Sequence, residues 1–171
     1  MIHVYFGDGK GKTTAAIGLA ARCVGCGKSV VFVQFLKGRD TGELGSLEKL
    51  GIHIIRSEET KCFSWEMTKE QIEECKKVQA ELFGFVQDTG QGEEITNMLV
   101  LDEALNALSA GLLDEEAMKN FILEKASGME IVLTGLVVPD WLKEKADYCT
   151  EMKKHKHPYD EGIQARKAVE Y

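Results

Sequence analysis

Residues Gly7-Asp8-Gly9-Lys10-Gly11-Lys12-Thr13-Thr14 gather three glycines, two lysines and two threonines in one short stretch. Glycines let backbone amides approach an anion closely. Lys12 adds a mobile positive charge, and the Thr13 hydroxyl can ligate a metal ion. An apolar run, Ile2 to Phe6, precedes the stretch, and an Ala-rich helical segment follows it. Strand, glycine-rich turn and helix N-terminus together make a phosphate-binding loop, because the amides and the helix dipole both favour the anion. The common pattern G-x-x-x-x-G-K-[ST] asks for a glycine where this chain has Phe6, and the nearest glycine is Gly7. The cradle is one residue short. Either the glycines cluster by chance, or the loop is adapted to an unusual nucleotide pose.

A second signal is Met98-Leu99-Val100-Leu101-Asp102-Glu103, an apolar strand ending in an acidic pair. One carboxylate there can hold magnesium beside the phosphates, directly or through water. In a hydrolysing ATPase Glu103 would be the candidate general base. The bland reading makes both acids helix N-terminal charges. Phe63-Ser64-Trp65 places two aromatics in a polar loop, where they either cap the core edge or meet a flat, partly apolar ligand. Lys153-Lys154-His155-Lys156-His157 reads as a solvated charge run or an anion-facing edge. Arg22, at the end of the first helix, can reach back over a bound nucleotide. Thr134 ends a strand expected to neighbour the Asp102 strand, where it could sense phosphate; Gln34 and Lys37 flank the end of the second strand, while His3 and His53 lie in strands and read as structural.

These residues need a scaffold that brings strand ends together. Short Val/Ile/Leu-rich runs alternate with helical stretches, the pattern of a parallel sheet covered on both faces. Strands are expected at Ile2–Phe6, Ser29–Phe35, Ile52–Arg56, Asn97–Asp102, Glu130–Thr134 and Tyr148–Met152. Helices are expected from Lys12 to Cys23, Thr68 to Gln87, Glu115 to Lys125 behind an Asp114 cap, and Asp140 to Ala146 after Pro139. A short helix from Asp160 to Ala168 closes the chain. In the long helix, Ile72, Cys75, Val78 or Gln79, Leu82 and Phe85 form the expected inward stripe. The polar segments Lys37–Leu44 and Ser57–Trp65 follow strands, at the carboxyl edge where such sheets bind ligands.

The 171 residues suit one domain, 1–171, with a real core, and 44% hydrophobic against 29% charged residues marks a globular chain. A net charge of −7 argues against nucleic-acid backbone binding, which needs clustered Lys and Arg. No apolar stretch is long enough for a bilayer and the chain enters its first strand at once, so a cytoplasmic protein without membrane or leader is expected. Five cysteines, an odd count, argue against a disulfide framework. Cys23-Val24-Gly25-Cys26 is a C-x-x-C, but no second pair completes a zinc set, and its place at a helix end favours a structural role over metal.

Taken together, the chain resembles the ATP:corrinoid adenosyltransferases of the P-loop type over nearly its whole length. The resemblance rests on the short loop Gly7–Thr14, the run Val33-Gln34-Phe35-Leu36-Lys37-Gly38, the pair Phe63 and Trp65, and Val100-Leu101-Asp102-Glu103. It extends to the tail from His157-Pro158 through Gly162-Ile163-Gln164-Ala165-Arg166-Lys167 to Glu170-Tyr171.

That resemblance implies a three-layer, RecA-like P-loop fold with a mostly parallel sheet of about six strands and helices on both faces. It implies that Co(I) of a reduced corrinoid attacks the 5′ carbon of ATP, forming a cobalt–carbon bond and releasing triphosphate. The family binds ATP in a reversed pose, which gives the short loop a reason. Gly7, Asp8, Gly9, Lys10, Gly11, Lys12, Thr13, Thr14 and Arg22 would then bind ATP, with Asp8 and Arg22 near the nucleoside. Thr13, Glu103 and Asp102 would hold Mg²⁺, and Lys12, Thr13 and Glu103 would act in catalysis, Glu103 as a metal ligand because Co(I) has no proton to remove. Phe63 and Trp65 would lie against the lower corrin face and displace the axial ligand. An electron-donating reductase and a homodimer are implied as well. Two departures stand out: Asp8 where the family often has Asn, and a chain that begins at its first strand where better-known members carry an N-terminal extension over the site. The rival readings are a small ATPase or phosphotransferase of the same fold, and a nucleotide-dependent corrinoid carrier.

Overall fold

The computed structural model describes residues 1–38, 41–57, 67–88 and 96–170. Six strands form one parallel sheet: β1 (Ile2–Phe6), β2 (Val30–Gln34), β3 (His53–Arg56), β4 (Met98–Asp102), β5 (Glu130–Gly135) and β6 (Tyr148–Glu151). Their order across the sheet is β3-β2-β4-β5-β1-β6, and every pairing is parallel. All carboxyl ends therefore open on one edge, as the α/β alternation predicts.

The helices are α1 (Lys12–Gly25), α2 (Gly42–Lys49), α3 (Lys69–Asp88), α4 (Ala104–Ser109), α5 (Glu115–Lys125) and α6 (Asp140–Lys145). They cover both faces. On one, Ala16 and Ala20 of α1 and Leu47 of α2 pack on Val30, Phe32, Met98, Val100 and Val132. On the other, Leu82, Phe83 and Val86 of α3, Leu105 of α4, Met118 and Ile122 of α5 and Leu142 of α6 pack on the alternate strand residues. Alternation between the two cores follows the two-residue period of a strand. The small residues of α1 let it lie close to the sheet, and Ala16 and Ala20 are fully buried. Asp114 caps α5, its Oδ1 accepting the Ala117 amide at 2.8 Å.

The β1–α1 order has a consequence for the site. β5 lies between β1 and β4. A side chain at the start of α1 must therefore reach the end of β4 across the end of β5, where Thr134 sits.

Several expectations change. The polar segment Lys37–Leu44 runs into α2, and α4 starts directly after Glu103; both helices are short and lack a strong apolar period. The closing helix Asp160–Ala168 is absent; only a 3-10 turn, Pro158–Glu161, forms before Gly162 at φ 79° ends it. The inward stripe of α3 is Cys75, Gln79, Leu82, Phe83 and Val86, while Phe85 is 63% exposed. Phe83 takes the inward place and packs edge-on against Phe121 at 5.6 Å. Cys75 is disulfide-bonded, whereas Cys23, Cys26 and Cys149 are free thiols.

Candidate active site

The loop Gly7–Thr14 joins β1 to α1 at the carboxyl edge. Gly7 and Gly11 take left-handed φ values of 108° and 115°, so both need glycine. The Gly7 amide donates to Leu136 O at 3.1 Å and the Gly9 amide to Met152 O at 2.6 Å. A Cβ on Gly9 would stand 2.6 Å from that same Met152 oxygen. The first half of the loop is therefore packed against the exits of β5 and β6, and two of its amides are engaged there. Lys12 turns back over the loop, its Nζ donating to Gly7 O at 2.8 Å and Gly9 O at 2.7 Å. Burial lowers the Lys12 pKa, against the opposing pull of Glu103, Asp8 and Asp102. Among the described residues the ammonium is held by these two carbonyls alone.

Asp102 is the buried centre. Its Oδ1 accepts the Thr13 hydroxyl at 2.9 Å and the Thr134 hydroxyl at 2.7 Å, and its Oδ2 accepts Lys37 Nζ at 2.6 Å. Thr134 Oγ1 also accepts the Glu103 amide at 2.9 Å. The residue on the strand between β1 and β4 thus fills the gap that the topology leaves. Glu103 has φ 62°, a strained value for a non-glycine residue. Its carboxylate accepts from the Asn106 amide group, and Asn106 Oδ1 accepts the Leu136 amide at 2.8 Å. Burial and the neighbouring Asp102 raise the Glu103 pKa, with Lys37, Asn106 and Lys12 opposing. Lys37 is pulled down by burial, but Asp102, Glu43 and Glu103 outweigh this and leave its pKa raised.

Lys10, Gly11, Lys12, Thr13 and Thr14 line a cleft of about 570 Å³ together with Lys37, Glu43, Glu103 and the tail residues Ala168–Glu170. Lys10, Lys12 and helix α1's N-terminus give it cationic character, while Lys37 is paired with Asp102 and Glu43. A model of the family described as ATP:corrinoid adenosyltransferase BtuR/CobO/CobP matches residues 1–171. The chain belongs to that family. It is 32% identical to a corrinoid adenosyltransferase of Pseudomonas aeruginosa, over all of this chain and 83% of that protein. It is 30% identical to the corrinoid adenosyltransferase of Escherichia coli K12, over all of this chain and 85% of that protein. A Sinorhizobium corrinoid adenosyltransferase is 33% identical, over all of this chain and 80% of its own length.

Within this adenosyltransferase fold, the expected site residues fall into groups. Lys10, Gly11, Lys12, Thr13, Thr14 and Glu103 share the cleft, with Asp102 directly beneath through Thr13. Gly7, Asp8 and Gly9 face the strand exits; the Asp8 carboxylate accepts the Lys154 amide at 2.8 Å. That bond, ahead of Lys154 and Lys153 charge, holds the Asp8 pKa below its usual range. Arg22 is exposed in the last turn of α1, roughly 15 Å along the helix from Lys12 at 1.5 Å per residue. Phe63 and Trp65 lie outside the described residues.

The donor set suits a hard divalent cation: the Thr13 hydroxyl and the Glu103 carboxylate offer oxygen only. Among the described residues no group of three His, Cys, Asp or Glu side chains forms a protein-only cage, Cys23 and Cys26 included. Among the described residues no helix is long and apolar enough to cross a membrane.

Sequence reasoning had no role for Glu43, Asn106 or the tail. Asn106 stands three residues after Glu103, the spacing of one helix face, so that signal was present. Glu43 and Ala168–Glu170 reach the cleft only through tertiary folding, and no spacing announces them. A second concavity of about 590 Å³, between β3 and α3, is lined by His53, Arg56, Glu81 and Phe85 and shares no residue with the cleft at Lys10–Thr14.

Proposed function

We propose that the chain transfers the 5′-deoxyadenosyl group of ATP to the Co(I) of a reduced corrinoid, with the phosphate cleft holding triphosphate as the leaving group. The observation that carries this reading is the split use of the loop. Gly7 and Gly9 donate to Leu136 and Met152, so the phosphate-facing part runs only from Lys10 to Thr14. A cradle of that length supports a nucleotide held in a register other than that of an ordinary ATPase.

The chemistry follows from charge. The cobalt supplies the electron pair that forms the cobalt–carbon bond, and the C5′–O bond breaks with its electrons passing to triphosphate. No proton moves at the reacting carbon. Lys12, Lys10 and the amides of α1's first turn would bind and orient the phosphates and stabilise the growing negative charge. Thr13 and Glu103 would hold Mg²⁺, with Asp102 beneath them. When bound, the ion would neutralise charge on the leaving phosphates. Glu103, clamped by Asn106, fits a ligand better than a base. Phe63 and Trp65 would meet the corrin face, and Asp8 and Arg22 are assigned to the nucleoside by resemblance. The reading extends to a cytoplasmic homodimer served by a separate electron-donating reductase.

ATP consumption should depend on reduced corrinoid. Anaerobic assays with ATP, Mg²⁺ and chemically reduced corrinoid separate the rivals: an ATPase consumes ATP without corrinoid, and a carrier binds corrinoid without consuming ATP. Either result sinks the proposal. Trp65→Ala should spare ATP binding yet impair use of corrinoid supplied as Co(II) under a weak reductant. Wild-type behaviour there would remove the aromatic pair from the mechanism.

A further inference from the structure

Lys37 has a built position that the reading above does not use. The chain leaves β2 with the Phe35 amide on Asp102 O at 3.0 Å. Leu36 then takes φ 60°, a left-handed value that a branched residue adopts only when its surroundings impose it. The Leu36 amide donates to the buried Gln79 Oε1 at 3.1 Å, which fixes that turn from α3. The turn sends Lys37 back across the sheet edge, where its Nζ meets Asp102 Oδ2 at 2.6 Å and Glu43 Oε1 at 3.4 Å. Glu43 is itself held by Gln34 Nε2 at 3.1 Å. The lysine side chain is 18% exposed and Asp102 is fully buried.

With Thr13 and Thr134 on Oδ1 and Lys37 on Oδ2, both oxygens of Asp102 are occupied by protein donors. A buried carboxylate beside a second one, Glu103, would otherwise attract any available cation. We propose that Lys37 is a positioning residue that keeps Asp102 as an internal ion pair, so that a divalent metal enters this cleft only together with nucleotide, through Thr13 and Glu103. The inference rests on the reading of Thr13 and Glu103 as the metal ligands, and it removes Asp102 from direct coordination. The functional gain is order of binding. Metal without nucleotide finds no open carboxylate pair, and the triphosphate meets a cleft whose own cation is already placed.

Mn²⁺ alone, followed by electron paramagnetic resonance on the nucleotide-free full chain, tests this. Wild type should bind Mn²⁺ weakly, and Lys37→Gln at least about ten-fold more tightly, because removing one partner leaves an uncompensated buried charge. Lys37→Arg should restore weak binding, and Lys37→Gln with Asp102→Asn should lose the gain. The double variant removes both charges, so it keeps the comparison readable if the single variant folds poorly. Tight Mn²⁺ binding by nucleotide-free wild type overturns the proposal, as does an unchanged affinity in folded Lys37→Gln. A separate arm uses Mn²⁺ with ATP. If Thr13→Ala and Glu103→Gln bind that complex like wild type, the metal-ligand reading fails, a result distinct from the Mn²⁺-only comparison.

Discussion

The Asp8 carboxylate accepts the backbone amide of Lys154 at 2.8 Å, tying the phosphate loop to the chain leaving β6. This accounts for an acidic residue in an anion-binding loop. The Lys154 amide, with the charges of Lys154 and Lys153, keeps its pKa low, and its charge also reaches Lys12 of the cleft. An asparagine oxygen can accept the same bond. Asp8→Asn should therefore keep the wild-type Tm and leave KM for ATP equal or lower. Asp8→Ala should lower Tm and raise KM. A loss of Tm in Asp8→Asn equal to that in Asp8→Ala would contradict the assignment.

Lys12→Met removes the ammonium that bridges Gly7 O and Gly9 O and that the proposed reaction sets against the phosphates. Turnover should fall by about a hundred-fold or more, as for other lost charge stabilisers in a closed site. Calorimetry should show weakened ATP binding as well. A variant that binds ATP normally and turns over normally would take Lys12 out of the site.

Glu103 gives a pH signature with a definite sign. Its folded pKa lies above the unfolded value, through burial and Asp102. The folded state therefore holds the proton more tightly. Stability falls as pH rises from the ordinary glutamate range through the raised value, and the loss is complete above it. Glu103→Gln should raise Tm at neutral pH, with the advantage vanishing in acid. Metal-nucleotide binding needs the ionised carboxylate, so wild-type affinity for Mn²⁺·ATP should drop as pH falls through the raised pKa. The Gln variant should bind more weakly and lack that inflection. Parallel pH curves for the two proteins would contradict this.

Gly135 is a packing test of the β5–α4 contact beneath Glu103. A Cβ there would stand 2.5 Å from Leu105 Cβ and 3.0 Å from the Asn106 amide, neither of which can swing aside. Gly135→Ala should cost about 1–3 kcal/mol, the usual penalty of overpacking. At roughly 2–4 °C per kcal/mol this is readable in a thermal melt. Gly45→Ala, in helix α2 with open space around it, should be neutral or stabilising by up to about 1 kcal/mol. Equal effects at the two glycines would contradict the packing account.

The sheet was legible because buried parallel strands are written as continuous apolar runs: Val30–Gln34 and Met98–Asp102 are buried throughout. Thr13 and Asp102 could be paired in advance because each sits at the end of a clear element. The full strand order was not legible, but the expected neighbourhood of the Thr134 and Asp102 strands holds, since β4 pairs with β5. Helix α2 was missed because its burial comes from tertiary contacts, with one buried position, Leu47, whereas α4 matches the reading of Asp102 and Glu103 as helix N-terminal charges. Phe85 was misassigned inward because Phe83 and Phe85 are both apolar and only packing on Phe121 decides between them. The tail was read as a short helix, yet only the turn Pro158–Glu161 forms, and Ala168–Glu170 line the cleft. There Glu170 pairs with Arg166 and its pKa falls to about 2.

In the proposed reaction this cleft holds triphosphate as the leaving group. Phosphorus NMR of the anaerobic reaction with ATP and reduced corrinoid, run beside the absorbance of the cobalt–carbon product, tests it most directly. Triphosphate should appear in a one-to-one ratio with adenosylated corrinoid, and neither should form with Lys12→Met. ADP with inorganic phosphate, or triphosphate without the cobalt–carbon product, would contradict it.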